Sequence, residues 1–229
     1  MRKWTGLICA ALLLGLLPST PAEGAGSRPT TPPPPAAPEQ PKTPEQEGKA
    51  AYNLGLKHRD KAWKLEDKAK AAASDSDRDK HLEKAMKQYE KSIPLFETAT
   101  GKIPSFHQAF SSLGYALRKT GQHEKALEAY DTALKLAPFY GEAVEYRAEA
   151  YLGLNRIEEA KDAYMQLFSS NRELANQLME AMQAWLEARQ ADPAGVSAET
   201  IEGFATWVKE RSELANASAQ LYSTAGRAW

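Results

Sequence analysis

The residues between positions 107 and 167 repeat with a period of 34, and this spacing constrains the fold more than any other feature of the sequence. Four pairs of similar residues lie 34 positions apart: Gly114 and Ala148, Leu117 and Tyr151, Ala126 and Ala160, Tyr130 and Tyr164. A period of this length is typical of stacked helix-turn-helix units. The sequence therefore predicts an all-α chain.

The first unit has a more specific pattern. Leu113-Gly114-x2-Leu117 is followed by Gly121 and then by Ala126-x3-Tyr130-x2-Ala133-x4-Pro138. This pattern resembles the tetratricopeptide repeat. The resemblance implies a right-handed helical solenoid, here of about eight helices, that binds a protein or peptide in its concave groove and needs no cofactor.

The small residues explain how two such helices can meet. Gly114 and Ala126 let the two backbones approach closely, while Leu117 and Tyr130 fill the space beside them. The second copy is less regular, because Arg147 replaces Leu113 and Leu167 replaces Ala133. We expect its inner packing to differ from that of the first copy.

The N-terminal residues have the features of a secretory signal. Arg2 and Lys3 precede an apolar run over residues 7–17, and small residues follow over residues 18–26. Cleavage after Ala22 or Gly24 fits this pattern. Retention of the run as a membrane anchor is the alternative, although it is shorter than the roughly 20 apolar residues of a spanning helix. Cys9 lies inside the run without a lipobox, so no lipid anchor is expected.

Removal of this segment leaves no cysteine, which excludes disulfides and thiolate metal sites from the mature chain. The mature chain is nearly neutral, so no nucleic-acid partner is expected. No H-E-x-x-H motif pairs the four histidines, and residues 75–79 lack the glycine and glutamate of a calcium loop. With no phosphate-binding loop or nucleophile elbow either, we predict a protein that is not an enzyme and binds no metal.

We divide the chain into five parts: a signal peptide (1–25), a Pro-rich linker (26–43), an elongated, degenerate first repeat (44–104), two tetratricopeptide repeats (105–170) and C-terminal capping helices (171–222). The linker has three interpretations: a stalk, a ligand for a Pro-binding domain, or an unstructured leader. The capping helices should seal the open end of the stack, with Trp185 and Trp207 packed in its core.

The first repeat is predicted to be a long hairpin. Thr43, Pro44 and Gln46 form a capping box that begins its first helix. Leu54-Gly55 and Ala85-x3-Tyr89 give a faint copy of the repeat, with 18 residues inserted around the turn. The hairpin should therefore project as a prong, and Pro94 should either kink its second helix or restart it.

Transfer of the repeat register to the three first helices gives candidate groove residues, and tyrosines among them suit a protein-binding surface. The candidates are Lys49, Tyr52, Asn53, Leu56, Arg59, Gln108, Ser111, Ser112, Tyr115, Arg118, Glu142, Glu145, Tyr146 and Glu149. The three glutamates would repel the C-terminal carboxylate that the family's best-known adaptors bind. The groove should thus run from basic to acidic and suit a segment of mixed charge.

These features together predict an exported scaffold, periplasmic or secreted, that mediates protein-protein interactions in the cell envelope. Two alternatives remain at this stage. One is an accessory or carbohydrate-binding subunit of an envelope polymer synthesis machinery, in which the aromatic wall would stack on sugars. The other is a membrane-anchored stalk protein in which the apolar run is retained.

Overall fold

The computed structural model describes residues 41–225, and the predicted signal peptide and most of the Pro-rich linker lie outside the described residues. The described residues form eight helices, each packed mainly on its neighbours along the chain. Their bounds are α1 Pro44–Lys70, α2 Asp75–Lys102, α3 His107–Lys119, α4 His123–Leu136, α5 Gly141–Gly153, α6 Ile157–Ser170, α7 Arg172–Ala191 and α8 Ala198–Ala225. The predicted all-α helical solenoid is confirmed.

The best repeat consists of α3 and α4, and a glycine sets their separation. A Cβ atom on Gly114 would lie 2.7 Å from the ring of Tyr130, which is fully buried. Gly121 turns the chain between the two helices with φ +77°, and Asn155 has φ 57° at the equivalent place 34 residues later. Asparagine is the non-glycine residue that best tolerates this left-handed conformation, which explains why the second turn needs no glycine.

The second repeat, α5 and α6, accommodates both of its departures. Arg147 occupies the position of Leu113 and forms a salt bridge with Asp131 of α4 at 2.7 Å. Leu167 occupies the position of Ala133 and is 1% exposed, buried in the core that the second repeat shares with α7 and α8. The larger residue therefore fills the space at the C-terminal side of the stack.

The first hairpin contains 27 residues in α1 and 28 in α2, about twice the length of the following helices. Thr43 and Gln46 form the expected capping box. Small residues recur every seven positions on the face of α1 that packs against α2, namely Gly48, Gly55, Ala62 and Ala69. A seven-residue spacing keeps one seam in contact over many turns, so the two helices stay paired along their length.

The structure corrects the register of this hairpin. A Cβ atom on Gly55 would lie 2.6 Å from the ring of Phe96, not beside Tyr89. The positions equivalent to Ala126, Tyr130, Ala133 and Pro138 are therefore Ser92, Phe96, Ala99 and Pro104, each 34 residues earlier. The insertion is 25 residues and not 18, and it extends the hairpin by roughly 19 Å at 1.5 Å per residue along two helices.

Two further details of the hairpin differ from or refine the sequence analysis. Leu54, Leu82 and Met86 are exposed, because the buried seam follows the small residues and not the larger apolar ones. Helix α2 continues through Pro94 to Lys102, so the helix does not restart there. Thr98 donates its hydroxyl to the carbonyl oxygen of Pro94 at 2.8 Å.

The last two helices cover the end of the second repeat. Trp185 on α7 is buried, and its Nε1–H donates to the carbonyl oxygen of Leu152 at 2.8 Å, which satisfies a group at the end of α5. Trp207 on α8 packs edge-on against Tyr164 with ring centroids 5.4 Å apart. Trp185 therefore lies in the core, and the half-buried Trp207 packs against that core. Among residues 41–225, no helix has the length and hydrophobicity that crossing a membrane requires.

Candidate partner-binding groove

The first helices α1, α3 and α5 enclose a half-open cavity of about 200 Å³, which we call the groove cavity. Five aromatic side chains, two serines and two charged side chains line it: Tyr52, Trp63, Tyr115, Tyr140, Tyr146, Ser111, Ser112, Arg59 and Glu142. Residues from three successive repeats therefore meet at one place, as the transferred register requires.

Seven of the fourteen candidate residues line the groove cavity, and seven do not. Those in the lining are Tyr52, Arg59, Ser111, Ser112, Tyr115, Glu142 and Tyr146. Lys49 and Asn53 are exposed outside it, and Lys49 forms a salt bridge with Glu45 at 2.6 Å. Leu56 and Gln108 are half-buried and also lie outside the lining, as do Arg118, Glu145 and Glu149.

Trp63 and Tyr140 were missed by the sequence analysis. Trp63 follows Arg59 on α1, where the inserted residues carry the helix past the length of a normal repeat. Tyr140 lies in the turn before α5, outside the helical positions to which the repeat register applies. Both are aromatic residues a few positions from a residue that the register places in the groove, and this proximity is their signal in the sequence.

Tyr115 is the structural centre of the aromatic lining. Its hydroxyl oxygen accepts a hydrogen bond from Trp63 Nε1–H at 2.8 Å, which joins the long hairpin to α3. Its ring lies 4.9 Å from that of Tyr146 and 5.8 Å from that of Tyr89, measured between centroids. A second link runs nearby from Lys119 to Glu66, at 2.6 Å. Tyr115 therefore supports the fold as well as the groove, so its truncation is a poor test of binding.

Arg59 is the cation in the lining, and its orientation is fixed. The guanidinium carbon lies 4.0 Å from the centroid of the Trp63 ring. Nε and Nη2 both donate to one oxygen of Asp60, at 3.2 and 2.9 Å. The guanidinium is stacked on the Trp63 ring, and one of its edges is bonded to Asp60. These two contacts hold the remaining N–H groups in a defined direction.

Beneath the lining, a salt bridge joins Arg118 on α3 to Glu149 on α5. The guanidinium of Arg118 lies 5.2 Å from the ring centroid of Tyr115 and 5.7 Å from that of Tyr146. The ion pair therefore packs against the rings of two tyrosines that line the groove cavity. It also neutralises a carboxylate that the sequence analysis placed on the groove wall.

Glu145 is 2% exposed, and its Oε2 has no hydrogen-bond partner among the described residues. Burial, and after it the neighbouring Glu149, raise the pKa of this carboxyl to about 9, while Arg118 acts in the opposite direction. The expected row of three acidic groups is therefore wrong, since only Glu142 is an exposed carboxylate of the groove cavity. Periodicity placed Glu145 on the wall but could not show that its neighbours would cover it.

The lining of the groove cavity provides hydrogen-bonding groups. No hydrogen bond within the described residues engages the hydroxyl of Tyr52 or Tyr146, and burial raises the pKa of Tyr146 to about 12. No histidine lines the groove cavity, so its serines have no imidazole base beside them. Within residues 41–225, no three His, Cys, Asp or Glu side chains are grouped as a metal site.

Comparison with protein families agrees with the repeat register. Tetratricopeptide repeat models match residues 107–140 and residues 147–174. The first range covers α3 and α4, and the second covers the last seven residues of α5, all of α6 and the first three residues of α7. No curated protein matches the sequence. Repeats of this kind generally form non-catalytic scaffolds for protein-protein interactions. The chain is therefore a tetratricopeptide repeat protein.

Proposed function

We propose that this protein is an exported, non-enzymatic scaffold that binds a segment of another envelope protein in the groove cavity. The observation that carries the proposal is the convergence of five aromatic side chains from three repeats on one half-open cavity. Tyrosine and tryptophan supply large, rigid contact areas with a polar end, and they are enriched among the residues that dominate binding energy at interfaces.

The packing around the aromatic rings favours a protein segment over a carbohydrate as the ligand of the groove cavity. Stacking on a sugar needs an open ring face, yet one face of Trp63 is covered by Arg59. Tyr52 packs against Phe96 and Phe106, with centroids 5.9 and 4.6 Å away. The hydroxyls of Tyr52 and Tyr146, which have no hydrogen-bond partner among the described residues, suit the amide groups and polar side chains of an extended peptide.

Hydroxyl deletion tests this proposal with little change to the fold. The double variant Tyr52→Phe, Tyr146→Phe keeps both rings and removes two unpaired hydroxyls. Each hydrogen bond contributes about 0.5–1.5 kcal/mol, so the loss of both should lower the affinity for a partner by about 1–3 kcal/mol, roughly 5-fold to 150-fold. The partner is first captured by cross-linking in cells and identified by mass spectrometry, and its affinity is then measured by calorimetry.

The matched control is Tyr151→Phe, a half-buried tyrosine outside the groove cavity. This variant should bind as the wild type does. Equal affinity of the double variant and the wild type, with a loss in Tyr151→Phe, would place the binding surface elsewhere. Displacement of the partner by soluble glycans would favour the carbohydrate alternative instead.

Export is a separate part of the proposal and has its own test. The basic residues and the apolar run near the N-terminus support it. The mature chain should begin between Glu23 and Gly26, as measured by intact mass on protein from a fractionated cell envelope. An uncut chain found in the membrane fraction would support the retained-anchor alternative.

A further inference from the structure

The groove cavity has one cationic and one anionic side chain in its lining, and they belong to different helices. Arg59 comes from α1 and Glu142 from α5, with α3 between them. No ion pair joins the two, and Glu142 has no cationic partner among the described residues. One wall of the cavity, on α1, therefore carries a positive charge, and the opposite wall, on α5, carries a negative charge.

Arg59 has donors left for a ligand. A guanidinium has five N–H donors, and Asp60 accepts from two of them. The Trp63 ring covers one face of the group, so the free donors lie along an edge that is held in place. Such an edge fits a carboxylate, which can accept two parallel hydrogen bonds.

The other carboxylates near the cavity are buried or paired with a cation. Glu149 is paired with Arg118, and Glu66 with Lys119. Glu145 is buried, as described above. Asp60 is half-exposed and remains next to Arg59, whose charge it partly offsets. The contrast between Arg59 and Glu142 is thus the charge pattern that a ligand in the cavity would meet.

From these observations we infer that the groove reads the order of charges in its partner. The preferred segment carries an acidic side chain that contacts Arg59 and a basic side chain that contacts Glu142. Alternate residues of an extended peptide lie about 7 Å apart on one side, so peptides with one to three residues between the two charges place them about 7 to 14 Å apart. This inference rests on the proposed function, because it assumes an extended protein segment in the groove.

A protein groove is chiral, so its contacts with a peptide backbone differ between the two chain directions and one direction is preferred. With the direction set, the charge contrast selects an order of charges as well as a composition. Because the two walls differ in sign, a peptide with the acidic residue first and one with the basic residue first cannot both place their charges correctly in the same chain direction. Like charges brought together add a penalty to the wrong order, so specificity exceeds what either contact gives alone.

The experiment uses short fluorescent peptides that share a neutral Ser/Ala/Tyr background and carry two charged residues with one to three residues between them. Four sets differ only in charge: Asp before Lys, Lys before Asp, two Asp and two Lys. Fluorescence anisotropy measures their affinity for the mature chain. The wild type should prefer one mixed order over the reversed order and both like-charged sets, by about tenfold at low salt.

Substitutions then test which residues read the charges. Glu142→Lys should prefer the two-Asp set, and Arg59→Glu should prefer the two-Lys set. The double variant Arg59→Glu, Glu142→Arg should prefer the mixed order that the wild type rejects. Arg59→Gln is a milder variant that should lose the preference without inverting it. The control Glu128→Lys, on the exposed surface of α4, should leave the preference unchanged.

The outcomes separate this inference from the proposed function. Peptides that bind with equal affinity whatever their charge order, or a preference that survives the double variant, would overturn the inference alone. Hydroxyl deletion at Tyr52 and Tyr146 would still weaken binding in that case. Failure of all four peptide sets to bind, together with a partner unaffected by hydroxyl deletion, would overturn both.

Discussion

The ring of Tyr130 occupies the space that a side chain on Gly114 would need, since a Cβ atom there would lie only 2.7 Å from Cε1 of the ring. Phe96 and Gly55 have the same relationship in the first repeat, at 2.6 Å. In both repeats the aromatic residue of the second helix packs directly on the glycine of the first. This contact fixes how closely the two helices approach, and so it fixes the position of the groove residues on the first helix.

The variant Gly114→Ala should destabilise the chain, because the Tyr130 ring is fully buried and has no space to move into. Overpacking of this kind costs about 1–3 kcal/mol. Gly203→Ala is the control, since its added Cβ would meet nothing within 4 Å in α8. The control should gain up to about 1 kcal/mol from helix propensity. Urea unfolding measures the free energy of unfolding of both variants. Equal changes of the same sign in the two variants would contradict the register.

The hydrogen bond from Trp63 to Tyr115 should couple the long hairpin to α3. A double-mutant cycle with Trp63→Phe and Tyr115→Phe isolates this contact from the loss of ring volume. The coupling should be about 0.5–1.5 kcal/mol, the usual net contribution of a hydrogen bond. Thermal and urea unfolding of the four proteins provide the numbers. A coupling of zero would mean that the indole and the hydroxyl do not bond in solution.

Glu145 should make stability depend on pH. Its folded pKa of about 9 exceeds the ordinary value of 4.5, so the folded chain holds a proton that the unfolded chain has released between these pH values. The unfolding free energy therefore falls as pH rises from about 5 to about 9. Glu145→Gln cannot titrate, so its stability advantage over the wild type should widen across this range.

Urea titrations at pH 5, 7 and 9 check this prediction. Glu128→Gln is the matched control, because it replaces an exposed glutamate on α4. The control should follow the wild type at each pH. If the unfolding free energy of Glu145→Gln also changed with pH as that of the wild type does, the Glu145 carboxyl would be charged and hydrated in the folded protein. The acidic groove wall predicted from the sequence would then be correct.

The sequence predicted the repeats over α3 to α6 well, because their contacts join residues a fixed distance apart in one short unit. It misplaced the first repeat because Ala85-x3-Tyr89 and Ser92-x3-Phe96 both resemble the motif. Only the longer pattern, with Ala99 and Pro104, separates them. Both pairs are buried, but Tyr89 and Ala85 pack beside Ala62, in the extended part of the hairpin.

The groove was predicted only in part, for a physical reason. Register fixes which side of a helix a residue occupies, and this was enough to find Tyr52, Tyr146 and Glu142. Burial depends on what the neighbouring helix places opposite. The partner of Glu149 is Arg118 on another repeat, and Glu145 lies beside the same pair. Such pairings between helices leave no periodic signal in the sequence.

Photo-cross-linking from the rim of the groove cavity tests the central claim most directly. A photoreactive amino acid at position 142 or, as a control, at position 128 on α4 is activated in living cells that express the protein. The account predicts a covalent adduct with a partner from position 142, weakened by Tyr52→Phe with Tyr146→Phe, and none from position 128. An adduct from position 128 alone, or one from position 142 that hydroxyl deletion leaves unchanged, would contradict binding in the groove.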